Sequence, residues 1–164
     1  SVNLFPFDSN IDMRRYGEIR HGKINEPGVL ESIGADIRER CKMVSYTPIW
    51  AYVVTWFEAR PHWKFNGDEF YGAKSNYKNT FQLLMVTNGS DSFVIYNYIQ
   101  MDWPNNHIPI EFMAGYLVNF GSDGWPKPIR DHLEKKLVDN LVKKSNMGRP
   151  GRWLITFNNS NCRF

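Results

Sequence analysis

The stretch KNTFQLLMVTNGSDSFVIYNYIQMDW, residues 78–103, constrains the fold more than any other part of the chain. Thr80 to Thr87 and Ser92 to Gln100 are each rich in β-branched and aromatic residues with two-residue alternation, which suits a strand and not a helix. Between them NGSD supplies side chains that tolerate positive φ at a tight connection. An antiparallel hairpin follows, and the remaining segments must be organised around it.

Upstream, Tyr16, Glu18 and Arg20 alternate with Ile19 and His21, the pattern of a strand. In NEPGVLESIGADIRERC, Asn25 or Glu26 can cap, Pro27 suits a first helical turn, and Val29, Leu30, Ile33 and Ile37 share a stripe, so a helix is expected near 28–40. TPIWAYVVTWFEA, residues 47–59, is too short and too β-branched for a buried helix and reads as a central strand covered on both faces. Residues 60–78 break periodicity at Pro61, Gly67 and Gly72 and read as a long loop. Two more strands are expected at 114–120 and at 152–158, the latter after the GRPG turn. In KPIRDHLEKKLVDNLVKK, Ile129, Leu133, Leu137 and Leu141 recur every four residues, which predicts an amphipathic helix near 128–143. The fold class is therefore α+β, an antiparallel sheet or sandwich of five to six or more strands with two helices, and 1–164 reads as a single domain.

A chain of 164 residues buries roughly 70% of its unfolded surface, enough for one ordinary core. Its apolar fraction of 42% and charged fraction of 23% place it outside the disordered class. The net charge of +3 comes without a dense basic run interleaved with aromatics, which argues against a nucleic-acid surface. No run of about 18 apolar residues is present to insert into a membrane.

Chemistry is sparse. A G-x-S-x-G nucleophile signature is missing, the histidines at 21, 62, 107 and 132 show no metal-ligand spacing, and GSDGWPKP lacks the phosphate-loop lysine. An acid–histidine centre built on Asp68, Glu69 or Asp102 is neither indicated nor forbidden. No catalytic residue, metal or cofactor is assigned. Trp50, Trp56, Trp103 and Trp153 read as core. By contrast, His62, Trp63, Phe65, Phe70 and Tyr71 crowd into the long loop, and Trp125 sits in another, so these six form a candidate interaction loop. Asn88 and Asn158 begin N-x-S sequons and are glycosylation candidates, the first on the hairpin turn. Cys41 and Cys162 fit no metal spacing. Outside the cell they can bridge, closing a loop worth roughly 4 to 5 kcal/mol by chain entropy; in the cytosol they are two buried thiols.

TPIWAYVVTWFEA, NTFQLLMVTNGSDSFVIYNYIQMDW, AGYLVNFGSDG and SNMGRPGRWLITF, in that order and spacing, resemble the NIDO family, the nidogen-like extracellular domain. FPFDSNIDMRRYGEI and GVLESIGADIRER extend the resemblance upstream. That alignment implies that the family's first strands are absent, or that LFPF is its opening motif with strands deleted after it. A missing strand leaves a sheet edge to be filled by a partner chain, by the N-terminal arm or by a homo-oligomer. The resemblance implies secretion, an extracellular matrix or surface-layer setting, other extracellular proteins as partners and no catalysis. Secretion in turn makes Cys41 and Cys162 disulfide candidates rather than buried thiols. Trp56, Thr80, Phe81, Gln82, Phe93 and Trp153 then read as packing and ladder residues. The expected function is a structural, adhesive or protein-interaction module; the alternative is a carrier holding a small apolar ligand or pigment in an aromatic-lined pocket.

Overall fold

The computed structural model describes residues 2–8, 11–13, 16–61, 63–65, 68–70, 76–103, 113–118, 126–128, 137–155 and 162. In chain order the elements are β1 (Val2–Asp8), β2 (Ile11–Asp12), β3 (Glu18–Ile24), α1 (Pro27–Cys41), β4 (Trp50–Pro61), β5 (Trp63–Phe65), β6 (Asp68–Phe70), β7 (Asn79–Thr87), β8 (Ser92–Met101), β9 (Met113–Val118), β10 (Pro126–Pro128), α2 (Leu137–Lys143) and β11 (Arg152–Ile155).

The hairpin forms as its sequence requires, with β7 pairing β8 from Asn79↔Met101 to Thr87↔Ser92. Asn88 Oδ1 accepts from the amides of Ser90 (3.0 Å) and Asp91 (2.7 Å), and Gly89 takes φ +95 between them. This is the side-chain mimicry of a backbone turn for which Asn is favoured. Strands β11 and β4 join the two outer sides of the hairpin, and β3 and β2 share the far edge of β4, giving a six-stranded antiparallel sheet.

A bulge explains how two strands share one edge. Trp56 faces Phe81 and Ala59 faces Asn79, so Phe57 and Glu58 together oppose Thr80. Glu58 sits at φ +51; its amide donates to Thr80 Oγ1 (3.1 Å) and its carboxylate pairs with Lys78 at 2.7 Å. The bend ends the β3 pairing at Phe57 and hands the edge to β2 at Arg60 and Pro61.

Both faces of the hairpin are apolar, and each has its own cover. Leu84, Val86, Phe93, Ile95 and Leu154 pack beneath Leu30, Ile33 and Ile37 of α1. Phe81, Leu83, Val94, Tyr96, Tyr98 and Trp153 pack against Phe7 of the N-terminal arm, Trp103 and Leu141 of α2. Trp153 Nε1 donates to Leu141 O (2.9 Å), and Tyr98 Oη donates to Pro6 O (2.5 Å). Cys41, at the end of α1, is bonded to Cys162 across a separation of 121 residues.

Four expectations need correction. Strand β9 does not join the main sheet; it pairs with β1 of the N-terminal arm and with β10 in a separate three-stranded sheet, since its outer hydrogen bonds are taken up on both sides there. The segment 60–78 is not all loop: β4 continues to Pro61, and β5 and β6 form a small hairpin with Trp63 opposite Phe70. Strand β4 lies next to the sheet edge and is half-buried over most of its length, since β3 covers no face. The second helix is described from Leu137, residues 129–136 lie outside the described residues, and Pro128 belongs to a strand. The 28–40 helix stands, although Val29 is 46% exposed and the stripe continues to Cys41 instead.

Two predictions follow from the packing. At Gly151, φ is +80 and an added Cβ would lie 2.4 Å from Tyr98 O, whereas at Gly22 it would meet nothing within 4 Å. Gly151→Ala should cost about 2 to 4 kcal/mol and Gly22→Ala less than about 1, read from urea midpoints. Tyr46 is buried with its hydroxyl unpaired among the described residues, and desolvation, with Asp91 nearby, raises its pKa well above 10. The folded state therefore holds it neutral while the unfolded chain ionises, so the contribution of Tyr46 to stability is constant below about pH 10 and falls above it. Tyr46→Phe should be neutral or stabilising by about 1 kcal/mol at pH 8 and should flatten the alkaline loss in the same assay.

Candidate interaction surface

The end of the α1-covered face nearest the N-terminus of α1 is open. Here Gln82 Nε2 donates to Thr55 Oγ1 (2.9 Å) and Asn97 Nδ2 donates to Gln82 Oε1 (3.2 Å), a chain of side-chain bonds across three neighbouring strands. Cross-strand pairs of this kind stabilise the ladder and exclude slippage. Beside them opens a groove of about 450 Å³, walled by Val29, Ile33, Val53 and Leu84 and floored by Gln82, Asn97 and Arg152. Among the described residues Arg152 is its sole titratable lining group, so these residues offer hydrogen bonds and one cation. Among the described residues its lining includes no aromatic side chain.

The second feature is strand β3. Arg20 Nε donates to Glu18 Oε2 (2.7 Å) while its guanidinium sits 4.2 Å over the Phe57 ring. His21 Nδ1 lies 2.6 Å from Tyr52 Oη and its ring stacks on the same tyrosine. Lys23 Nζ lies 5.6 Å over Trp50. The strand register puts Arg20 opposite Thr55 but His21 and Lys23 opposite Val54 and Tyr52, so cations occupy both faces. Among the described residues, groups of three or more His, Cys, Asp and Glu able to hold a metal are absent.

The structure distributes the residues singled out from sequence. Cys41 and Cys162 are joined. Asn88 sits half-buried on the turn with Gly89 and Ser90 exposed beside it. Trp63, Phe65 and Phe70 fall on the β5–β6 hairpin, and His62, Tyr71, Trp125 and Asn158 lie outside the described residues. Phe81, Phe93 and Trp153 are buried core and Gln82 is a ladder residue. Asp102 accepts from Gln100 at the exposed end of β8, away from any histidine among the described residues. Sequence reasoning missed Asp36 and Asn146. Both are polar residues in unremarkable spacing, and only their partners far along the chain reveal them.

Residues 3–159 match the nidogen-like domain, NIDO. The chain belongs to the NIDO family. It is 28% identical to human alpha-tectorin over 157 residues, which is 90% of this chain and 7% of that protein. Chicken alpha-tectorin is 29% identical over 158 residues, again 90% and 7%, and human nidogen-1 is 24% identical over 162 residues, 92% and 13%. The chain thus spans a small part of each of these relatives. No solved structure matches it.

Within this NIDO chain, the SNMGRPGRW run has a direct physical reading. Ser145 Oγ donates to Arg152 O (2.6 Å) and accepts from the Met147 amide (2.8 Å), closing the turn. The Asn146 amide then pairs with Leu154 as a strand would: Leu154 N donates to Oδ1 (2.7 Å) and Nδ2 donates to Leu154 O (2.9 Å). One side chain so satisfies the outer edge of β11 there. Arg149 and Arg152 reach back to Asp36 of α1, at 3.2 and 2.9 Å, and Asp36 is only 5% exposed. Asp36 Oδ2 and Arg152 Nε make no aligned hydrogen bond, so the Arg152 contact is an ion pair by distance alone. Desolvation lowers the Arg152 pKa, and Asp36 opposes that shift. Asp36→Ala leaves this half-buried cation unpaired and should cost about 3 kcal/mol by urea unfolding, with Asp36→Asn losing less.

Proposed function

We propose that this NIDO chain is a non-catalytic interaction module of an extracellular protein assembly, presenting fixed surfaces to other extracellular proteins. The observation that carries this reading is the match over nearly the whole chain to a domain found in alpha-tectorin and nidogen-1, both extracellular matrix proteins. The disulfide supports it, because such a bond persists in oxidising compartments. So does the double cover of the sheet, which leaves the groove and β3 as surfaces on offer. The aromatic loop singled out from sequence, with Trp63, Phe65 and Phe70 on β5 and β6, is a further proposed contact.

The Asn88 sequon fits the same setting. A glycan attaches to Nδ2, while the turn uses Oδ1 as its double acceptor, so the modification leaves both turn bonds in place.

Natural material provides the test. Thiol alkylation followed by peptide mass spectrometry should find Cys41 and Cys162 oxidised to each other in the extracellular fraction, with the Asn88 peptide carrying a glycan. Cross-linking of the same fraction should join lysines of this chain to other secreted proteins. Recovery of the chain only inside cells, with both thiols free, overturns the reading.

A further inference from the structure

The edges of this fold are treated unequally. Among the described residues the outer side of β11 is satisfied at Leu154 by Asn146, the far end of β4 is taken by β2, and the second sheet ends on β1, whose pairing with β9 is interrupted between Phe5 and Asp8, and on the three-residue β10. Strand β3 pairs with β4 alone among the described residues, along seven consecutive positions from Glu18↔Phe57 to Ile24↔Ala51. Its side chains at 18–21 and 23 are exposed, and the space beside Gly22 is open. An open, regular seven-residue edge is a template for one more strand.

The charge on that edge selects the occupant. On β3, Arg20 and Lys23 stand against Glu18 alone, with His21 between them, and Arg14 and Arg15 precede them in sequence. Phe57, Tyr52 and Trp50 hold the three basic side chains in place on both faces, which reduces the entropy lost when they engage a partner. Ile19, 53% exposed and opposite Trp56, adds an apolar contact on the His21 and Lys23 face. A second copy of β3 paired antiparallel about His21 would set Arg20 opposite Gly22 and Lys23 opposite Ile19, so neither cation would meet a carboxylate. An acidic strand with alternating apolar side chains meets complementary charge and an apolar foothold.

We propose that β3 takes up an extended acidic segment of another protein by backbone pairing along residues 18–24. This rests on the interaction-module reading and names the partner chemistry for one of its surfaces. The probe is a blocked seven-residue peptide alternating glutamate and valine, compared with a lysine-for-glutamate peptide and with a version N-methylated at alternate amides. Titration calorimetry should show binding of the first alone, weakened as salt rises from roughly 0.05 to 0.5 M. Amide exchange at residues 18–24 should slow in the complex. Arg20→Glu with Lys23→Glu should weaken binding about tenfold while leaving the unfolding midpoint in place.

Equal binding by the N-methylated peptide reduces the effect to charge and overturns the pairing. Absence of binding to the first peptide, or a dimer through β3 in sedimentation, overturns the proposal as well. If the chain is still recovered outside cells, oxidised and cross-linked to other proteins, the β3 proposal falls alone and the broader reading stands.

Discussion

A hairpin apolar on both faces cannot be left with either face in water. Leu84, Val86 and Ile95 on one side and Phe81, Leu83 and Tyr96 on the other, all in β7 and β8, are each nearly solvent-free. At roughly 1.5 to 3 kcal/mol per fully buried large side chain, neither set can do without its cover. Everything else in the structure either supplies a cover or fastens one down. Helix α1 is fastened at Cys41 by the disulfide and at Asp36 by two arginines from the opposite end of the chain. The N-terminal arm is held by Tyr98 to Pro6 and by the edge-on contact of Phe7 with Trp103 at 5.4 Å.

That arrangement also decides where polar groups can go. Inside the covers the polar groups of Tyr98 and Trp153 bond to backbone carbonyls, whereas the side-chain chain of Thr55, Gln82 and Asn97 lies where the α1 cover ends and the cations of β3 lie at the rim. The bulge at Phe57 and Glu58 performs a second service, ending β3 pairing so that β2 can seal the far end of β4. The stabilising core and the accessible rim are therefore separated in space. Most substitutions at the rim leave the two covers intact, which is how one scaffold can carry different partners.

Much of this was legible in the residues themselves. The hairpin, the first helix and the strands at 18–24 and 152–155 follow from alternation, β-branching and turn chemistry, all local properties. The order of quoted segments pointed to the family because those segments meet local demands: NGSD for its turn, and SNMGRPGRW for Ser145, Asn146 and a Gly151 crowded by Tyr98 O. The β5–β6 hairpin escaped because Pro61, Gly67 and Gly72 break periodicity whether the chain loops or reverses sharply. The partition of β9 into a second sheet escaped because strand pattern carries no address for its partner.

What the sequence determined by itself was the set of elements and the chemistry available to them: strands apolar on both faces, a charged β3, two cysteines and an Asn on a turn. Only the tertiary structure decided which strands lie at sheet edges, that Asp36 faces Arg149 and Arg152, and that basic side chains of β3 lie over aromatic rings of β4. The reason is physical. Propensity and periodicity act over a few residues, whereas these pairings join groups between 27 and more than 100 positions apart, and their free energy exists only after the two covers have closed on the sheet.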